Sequence, residues 1–155
     1  MSNLLIMYTS QTNAESHTDG YVVPALAVND GFKQTHSTLV NSGRNTQGKV
    51  IGQRTMDRDL VKLELKWNFL LNSQWRDILS KISSSSGRTG GIGEGFYIWI
   101  RYYDSQLGYF ITREFYPSDR TASVYSINPT TGRPNSWVGC SMNFIDTGNS
   151  EEYTD

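Results

Sequence analysis

Residues Val61–Phe69 (VKLELKWNF) alternate strictly between apolar and polar side chains. The apolar residues fall at every odd position, so an extended chain would carry them all on one face. A period of two over nine residues is typical of a strand with one buried and one solvated face. This stretch therefore predicts a strand that covers a hydrophobic core.

The residues that follow this strand change to a helical period. An apolar stripe with spacing i, i+3, i+4 and i+7 is formed by Trp75, Ile78, Leu79 and Ile82. This spacing predicts one amphipathic helix of about three turns. Asn72 or Ser73 is the expected N-cap, and the serine run 83–86 ends the helix.

Strand-like segments occur on both sides of this strand–helix pair. They are residues 21–28, 96–103, 107–116, 122–127 and 137–145. Turns are expected at 104–106, at Tyr116–Arg120 and at Asn128–Pro134, where Pro and Gly residues cluster. The absence of βαβ alternation predicts a mainly β, antiparallel α+β domain, a sandwich or barrel with one helix packed on the sheet.

The polar stretches set the expected domain organisation. Residues 1–20 lack periodicity and are interpreted as an N-terminal arm, followed by a single β-rich domain at 21–148. Within it, residues 29–58 are expected to form one long extended loop, and loops of this length are usually functional, disordered or ordered by a partner. Residues 149–155 form an acidic tail.

Length, charge and hydropathy exclude several classes of protein. The chain has 155 residues, a formal net charge of -1 and only 19% charged residues, whereas nucleic-acid binders usually carry a basic excess. No apolar run approaches the ~20 residues that cross a bilayer, and residues 1–8 lack the features of a signal peptide. We therefore expect a soluble protein with no membrane partner and no specific nucleic-acid partner.

Catalytic and metal sites are not indicated by the sequence. Cys140 lies on the apolar side of its predicted strand, where a packing role is favoured over a nucleophilic one. The two histidines, His17 and His36, lack metal-binding spacing, and the carboxylates occur singly. The expectation is a non-enzymatic protein without catalytic or metal-binding residues.

A glycine-rich stretch, Gly90–Gly95, superficially resembles a phosphate-binding loop. Such loops require the order strand, loop, helix, so that the helix N-terminus meets the anion. Here the loop follows a helix and precedes a strand. We therefore expect no nucleotide site and no cofactor, and interpret residues 88–95 as a hairpin-like link.

Two surface interpretations remain open at this point. The basic residues Arg44, Lys49, Arg54 and Arg58 fall in one window, where solvation or pairing with a neighbouring subunit is favoured over contact with phosphates. A sugar-stacking face would need exposed aromatic rings, for which the candidates are Tyr97, Trp99, Tyr103, Tyr109 and Trp137. Core and interface packing is favoured for these rings, and glycan binding is the alternative function.

Residues 30–148 also carry a series of motifs in a fixed order. They are Asn41–Gly48 (NSGRNTQG), Leu63–Trp67 (LELKW), the helix with Trp75, the hairpin that begins at Phe96–Ile100, Tyr116–Ala122 (YPSDRTA) with Tyr125, and Asn143–Asp146 (NFID). This series resembles a family of small proteins encoded among the tail genes of phages and prophages of Gram-positive bacteria. Ser118 stands where that family often has Gly, and the first forty residues extend beyond its usual start.

The resemblance implies a structural subunit of the virion tail, in the baseplate or in the tail tube or tip, with a tail-tube-like β architecture. It implies assembly into rings, for example hexamers, with copies of itself and with other tail or baseplate proteins. Such a protein is made in the host cytoplasm and ends in the virion. Arg44, Arg58, Asp119 and Arg120 are the residues expected to fix turns or to form ion pairs between subunits.

Overall fold

The computed structural model describes residues 5–27, 30–38, 40–54, 58–85 and 96–154. It is mainly antiparallel β structure with two helices. The elements in chain order are β1 (Ile6–Tyr8), α1 (Gln11–Ser16), β2 (Tyr21–Val22), β3 (Phe32–Ser37), β4 (Val40–Arg44), β5 (Val50–Arg54), β6 (Leu60–Leu71), α2 (Asn72–Ser83), β7 (Ile98–Asp104), β8 (Tyr109–Ile127), β9 (Pro134–Asp146) and β10 (Glu152–Tyr153).

One large sheet has the strand order β2-β1-β7-β8-β9-β6-β3, and β4 and β5 form a separate hairpin. After β9 ends at Asp146, a short loop leads to β10, which also pairs with β8. All of these pairings are antiparallel. The predicted mainly β, α+β class is therefore confirmed, with a second helix that the sequence did not predict.

The strand predicted at Val61–Phe69 lies within β6, which extends it by one residue before and two after. Its odd residues from Val61 to Trp67 are buried, and they pack against Met142 and Phe144 of β9 and against α2. The alternation ends there, because Phe69 is half-exposed and Leu70 is buried. The change occurs near an irregularity in the β8–β9 ladder at Gly139, whose φ of +60° requires a left-handed backbone.

Helix α2 begins at Asn72, one or two residues earlier than the expected N-caps Asn72 and Ser73 would place it. Asn72 does not cap the helix but accepts a hydrogen bond from Nε1 of Trp137 at 2.9 Å. The backbone N–H of Leu71 is instead satisfied by Oε1 of Gln74 at 3.0 Å. The side chain that the local sequence favours as a cap is thus used in a contact between the helix and β9.

Strand β3, at one edge of the sheet, contacts the end of β7 across the curved sheet. Gln34 of β3 bonds the backbone carbonyl of Tyr103 in β7, and its Oε1 accepts the N–H of Ser105 at 3.1 Å. The segment after β2 covers the interior, since the carbonyl of Pro24 accepts a hydrogen bond from Nε1 of Trp67 at 2.9 Å. The predicted strand 21–28 is accordingly limited to Tyr21–Val22.

The interpretation of residues 1–20 as an arm is wrong for the described part, residues 5–20. Strand β1 pairs with both β2 and β7, and Met7 and Tyr8 are fully buried. Met7 joins the main core, whereas Tyr8 packs with Trp99 in a second apolar cluster. Ser10 caps helix α1, so this segment is an integral part of the fold.

The interpretation of residues 29–58 as one long loop is also wrong. Strand β3 pairs with β6 over six residues, from Phe32 opposite Leu65 to Ser37 opposite Leu60. Strands β4 and β5 pair over five residues. Residues 28–29, 39 and 55–57 lie outside the described part of the chain. Strand β3 is therefore held by its pairing with β6, and its polar sequence does not indicate a strand.

The expected turn at Tyr116–Arg120 is instead a bulge within a continuous strand. The β8–β9 register shifts between Pro117 and Arg120, and such an irregularity tolerates a proline that cannot donate to the ladder. The segment 122–127 is therefore the end of β8 and not a strand of its own. The turn predicted at Asn128–Pro134 is confirmed, since Asn128 N–H donates to the carbonyl of Arg133 at 2.8 Å.

The remaining expectations concern the termini and the link. Part of the acidic tail is ordered as β10, where Glu152 pairs with Arg113 of β8. The link at 88–95 and the glycine-rich stretch Gly90–Gly95 lie outside the described residues. Among the described residues, neither helix has the length or the apolar character needed to span a membrane.

Candidate assembly surface

Strands β8 and β9 form a long hairpin whose tip has a fixed shape. Asn128 Oδ1 accepts hydrogen bonds from Thr130 N–H at 2.9 Å and from Thr131 N–H at 3.3 Å. Gly132 has a φ of +74° and donates its N–H to the carbonyl of Asn128 at 2.8 Å. Short polar bonds of this kind hold a turn without any help from a partner.

Five large apolar side chains are exposed on this hairpin and on the adjoining end of β6, and the four that expose half or more of their surface are considered together. We call Phe69, Leu71, Tyr125 and Ile127 the hairpin patch. Tyr125 is 67% exposed and Ile127 55%. The rings of Phe69 and Tyr125 meet edge-on, with centroids 5.8 Å apart. Neighbouring exposed apolar side chains that pack against each other are typical of a protein–protein interface.

An apolar cavity of about 290 Å³ lies at the opposite end of β8. It is lined chiefly by Val23, Ala25, Leu26, Phe32, Tyr103 and Phe110. The guanidinium of Arg101 lies 4.2 Å above the Phe110 ring, and the Tyr103 ring meets the same ring edge-on at 5.4 Å. These contacts hold one wall of the cavity in place.

The structure places Arg44 on the surface of the β4–β5 hairpin, and Asp119 and Arg120 on the surface at the bulge in β8. Arg44 donates from Nη1 to the carbonyl of Gly48 at 2.8 Å, within the turn between β4 and β5. Arg120 reaches the carbonyl of Ser118 at 3.4 Å, across the bulge in β8. Asp119 is exposed beside it. The contacts of the two arginines are local, as a turn-fixing role requires.

Arg58 differs from the other three because its ion pair is buried. Its guanidinium contacts both carboxylate oxygens of Asp146, one of them at 2.9 Å, and donates to the carbonyl of Asn149 at 2.9 Å. The Asp146 side chain is fully buried and also accepts the N–H of Val61 at 3.2 Å. This pair joins the start of β6 to the end of β9 within one chain.

A second buried ionic cluster lies beneath the C-terminal strand. Arg113 contacts the hydroxyl of Tyr102 at 3.0 Å, Oδ2 of Asp104 at 2.9 Å and Oε2 of Glu152 at 2.9 Å. Tyr102 also donates to Asp104 at 2.9 Å. The cluster therefore ties β7, β8 and β10 together.

The protonation of this cluster suits a structural role. Burial by itself would raise the pKa of the Asp104 carboxyl. Hydrogen bonds from Leu107 N–H, Tyr102 and Gln106 N–H, together with the charge of Arg113, outweigh it and hold that pKa below its usual range. Burial raises the pKa of the Tyr102 phenol. The carboxyl is thus charged and the phenol neutral near pH 7.

The candidate nucleophile and histidines lie in separate environments. Cys140 is fully buried in β9, opposite Trp67, and burial raises the pKa of its thiol. His17 ends helix α1, and Nε2 of His36 lies 3.1 Å from the hydroxyl of Ser105. Within the ranges that the structure describes, no three His, Cys, Asp or Glu side chains are grouped as a metal site.

The five aromatic residues considered for sugar stacking do not share one exposed face. Trp99 is fully buried and Trp137 is half-buried. Tyr103 and Tyr109 are exposed, but Tyr103 pairs with Phe110 and Tyr109 with Asp104. Because neighbouring residues of a strand point to opposite faces, these two rings project from opposite sides of the sheet.

The hairpin patch and the Arg113 cluster were both missed by reasoning from the sequence. The alternation in Val61–Phe69 places Phe69 on the buried face of its strand, and no local pattern indicates that Tyr125 is exposed. One signal was available for the patch: residues 121–145 contain a single charged residue, Arg133. So few charges on a long hairpin are unusual for a wholly solvated surface.

No protein-family model and no curated protein matches the chain. A solved structure, described as the baseplate of phage p2 in its activated conformation with Sr, contains a similar chain. The similarity has a TM-score of 0.51 with 11% sequence identity, over 93% of this chain and 44% of the other. The chain thus has a fold found in a phage baseplate protein, and it spans less than half the length of that protein.

Proposed function

We propose that the chain is a non-enzymatic structural subunit of a bacteriophage or prophage-derived tail, in the baseplate or in the tail tube or tip. It assembles into rings with copies of itself and contacts other tail proteins. A Gram-positive host is part of the proposal, because the motif series resembles tail proteins of phages that infect such bacteria.

The observation that carries the proposal is the hairpin patch. Phe69, Leu71, Tyr125 and Ile127 expose half or more of their surface at one end of the molecule. Monomeric proteins seldom leave neighbouring large apolar residues uncovered. A partner that covers the patch would gain roughly 25 cal/mol for each Å² of apolar surface removed from water. The fold likeness to a baseplate protein supports a partner within a tail.

The charge of the chain is compatible with assembly of many copies. A subunit with a net charge of -1 joins its copies without strong mutual repulsion. The charged residues Arg58 and Arg113 are neutralised inside their own chain, so neither needs an ion pair from a neighbour. Recognition between subunits then depends on apolar anchors and strand geometry more than on salt bridges.

The test is the molar mass of the purified chain, measured by light scattering at several concentrations. We expect a concentration-dependent rise to a defined multiple of the subunit mass, and rings in negative-stain electron micrographs. Replacing Phe69 and Ile127 together with serine should reduce this association strongly. Val50→Ser is the matched control, because Val50 is 57% exposed on the separate β4–β5 hairpin.

Two outcomes would overturn the proposal. One is a chain that stays monomeric at every concentration up to its solubility limit and does not join tail proteins expressed with it. The other is specific binding of cell-wall glycans by the monomer, which would favour a carbohydrate-binding domain. Equal loss of association in the patch variant and in Val50→Ser would remove the role given to the hairpin patch.

A further inference from the structure

Strand β10 occupies the edge of β8 that β9 leaves open. Strand β9 ends with Asp146 near Phe115 of β8, and β10 continues along the same edge with two residues, opposite Arg113 and Thr112. On the other edge of β8, the ladder with β7 is seven residues long. We call residues 149–153 the C-terminal latch, because this short ladder is the end of a longer covering segment.

The latch covers an apolar cluster that is separate from the main core. Trp99 of β7 has no exposed surface, and the centroid of the Tyr153 ring lies 5.4 Å from that of its ring system. The hydroxyl of Tyr153 also accepts a hydrogen bond from Nε2 of Gln11 in α1 at 3.1 Å. The other buried members of the cluster are Ile6, Tyr8 and Ala14. Removal of the latch would therefore open one side of this cluster to water.

The polar contacts of the latch are ones that water can replace. Oε2 of Glu152 lies 2.9 Å from both Nε and Nη2 of Arg113, but the Glu152 side chain is 39% exposed. Ion pairs that are open to solvent contribute little to stability. Asn149 adds two hydrogen bonds, in which its carbonyl accepts from Arg58 at 2.9 Å and its side-chain NH₂ donates to Glu114 at 3.4 Å.

Opening of the latch would leave each buried charge beneath it with another partner. Arg113 keeps Oδ2 of Asp104 at 2.9 Å. The carboxylate of Glu114 keeps the hydroxyl of Thr147, which lies before the latch, at 2.7 Å. A buried charge without a partner is the main cost of breaking such a cluster. The latch can therefore separate from the sheet without that cost.

Gly148 is suited to act as the hinge of the latch. Its φ of +80° is a conformation that favours glycine, the residue with the greatest backbone freedom. Its N–H donates to Oδ1 of Asp146 at 2.9 Å, and Asp146 is held in its buried pair with Arg58. The chain is thus anchored up to Gly148, and the latch begins directly after this point.

We propose that the C-terminal latch is a releasable cover, which closes the β8 edge and the Trp99 cluster and opens without unfolding of the main core. Local opening is typical of segments with few apolar contacts and exposed hydrogen bonds. The open form presents an unpaired strand edge beside an apolar ring, and such edges readily pair with other strands. The closed latch thus protects the free chain from edge-to-edge association.

Hydrogen exchange followed by NMR at several low urea concentrations tests this opening. Amides of the β8–β10 ladder should exchange at a rate that low urea leaves nearly unchanged, because local opening exposes little surface. Amides of β6 should exchange more slowly without urea and should accelerate as urea is added. If both sets of amides show the same rates and the same urea dependence, the latch opens only on global unfolding and the proposal is wrong.

Substitutions test what holds the latch closed. Glu152→Gln should speed exchange in the β8–β10 ladder roughly fivefold, because it removes a partly exposed ion pair. Glu151→Gln is the matched control, since Glu151 is the exposed neighbour, and should change the rate by less than about twofold. Equal rates in the two variants would overturn the proposal.

A double variant tests the open form itself. Glu152→Gln combined with Tyr153→Ser should bind the apolar dye ANS while β6 remains protected from exchange. Glu151→Gln combined with Tyr109→Ser is its control, because Tyr109 is 48% exposed, and should bind no more dye than the wild type. A double variant that is unfolded, or that binds no dye, would contradict the proposal. Ring assembly is measured separately by light scattering and does not depend on this result.

Discussion

Replacing Asp104 with asparagine should destabilise the protein without changing the shape of the residue. Asp104 Oδ1 accepts the N–H groups of Gln106 at 2.9 Å and Leu107 at 3.1 Å, so it fixes the turn between β7 and β8. Its Oδ2 accepts from Arg113 and Tyr102, each at 2.9 Å. An asparagine that keeps the turn bonds must point its NH₂ group at these two donors.

The expected cost follows from those contacts. The substitution removes two hydrogen bonds to a buried charge, each worth about 1.5–3 kcal/mol. Removing one partner of a buried ion pair costs about 3–5 kcal/mol. Arg113 keeps Glu152 as a counter-charge, so we take the lower end, about 3 kcal/mol. For a chain of this size that corresponds to a fall in Tm of roughly 9 °C.

The effect should depend on pH in a defined direction. The pKa of Asp104 is lowered in the folded state, and the unfolded value is about 3.9. A lowered carboxyl pKa adds stability that is fully present above the unfolded value and is lost as the pH falls through the folded one. The difference between wild type and Asp104→Asn should therefore be constant from neutral pH to about pH 5 and should shrink below about pH 4.

Urea denaturation followed by tryptophan fluorescence, repeated from neutral to acidic pH, measures both quantities. Asp119→Asn is the matched control, because Asp119 is an exposed aspartate on β8 and its substitution should cost less than about 0.5 kcal/mol. The reasoning is refuted if Asp104→Asn unfolds with the same free energy as Asp119→Asn at neutral pH. A difference that persists unchanged into strong acid would refute the assigned ionisation.

Three further outcomes are expected. Arg58→Ala should lower the free energy of unfolding by about 3 kcal/mol, because it leaves a buried carboxylate without its counter-charge. Arg44→Ala loses one exposed hydrogen bond and should lower it by less than about 0.5 kcal/mol. Denaturant titration of both variants compares the two values. Trp67→Phe should cost about 1 kcal/mol in the same assay, since it removes the hydrogen bond that the carbonyl of the half-buried Pro24 accepts. The thiol of Cys140 should react with a maleimide no faster than the protein unfolds, which mass spectrometry of timed samples would show.

The elements that the sequence predicts well are those with a local pattern. Strand β6 and helix α2 each bury one face, so their side-chain periods record their structure directly. Strand β3 (FKQTHS) has no such hydrophobic pattern, because it is held in place by pairing with β6, nearly thirty residues away in the sequence. The sequence predicts two strands where β8 is continuous, because Pro117 usually interrupts a ladder. Here Pro117 lies at a bulge.

The candidate site depended even more on distant contacts. The basic window predicts Arg58 as a turn-fixing or inter-subunit residue, yet its partner Asp146 lies 88 positions away in the same chain. Composition gives the number of charges but not their pairing. The exposure of Tyr125 likewise depends on which strands flank the end of β8, and no local pattern of residues reports that arrangement.

Because the polar segments are already folded in the free chain, assembly does not have to order them. Arms and loops that order only on a neighbour lose conformational entropy at the moment of binding, about 1–2 kcal/mol for each backbone residue fixed. Here residues 5–20, β3 and the tip of the β8–β9 hairpin are already held by bonds within the chain. Association then costs mainly rigid-body freedom and a few side-chain rotamers. A small apolar contact such as the hairpin patch can therefore direct assembly, provided that the patch keeps its shape in the free subunit.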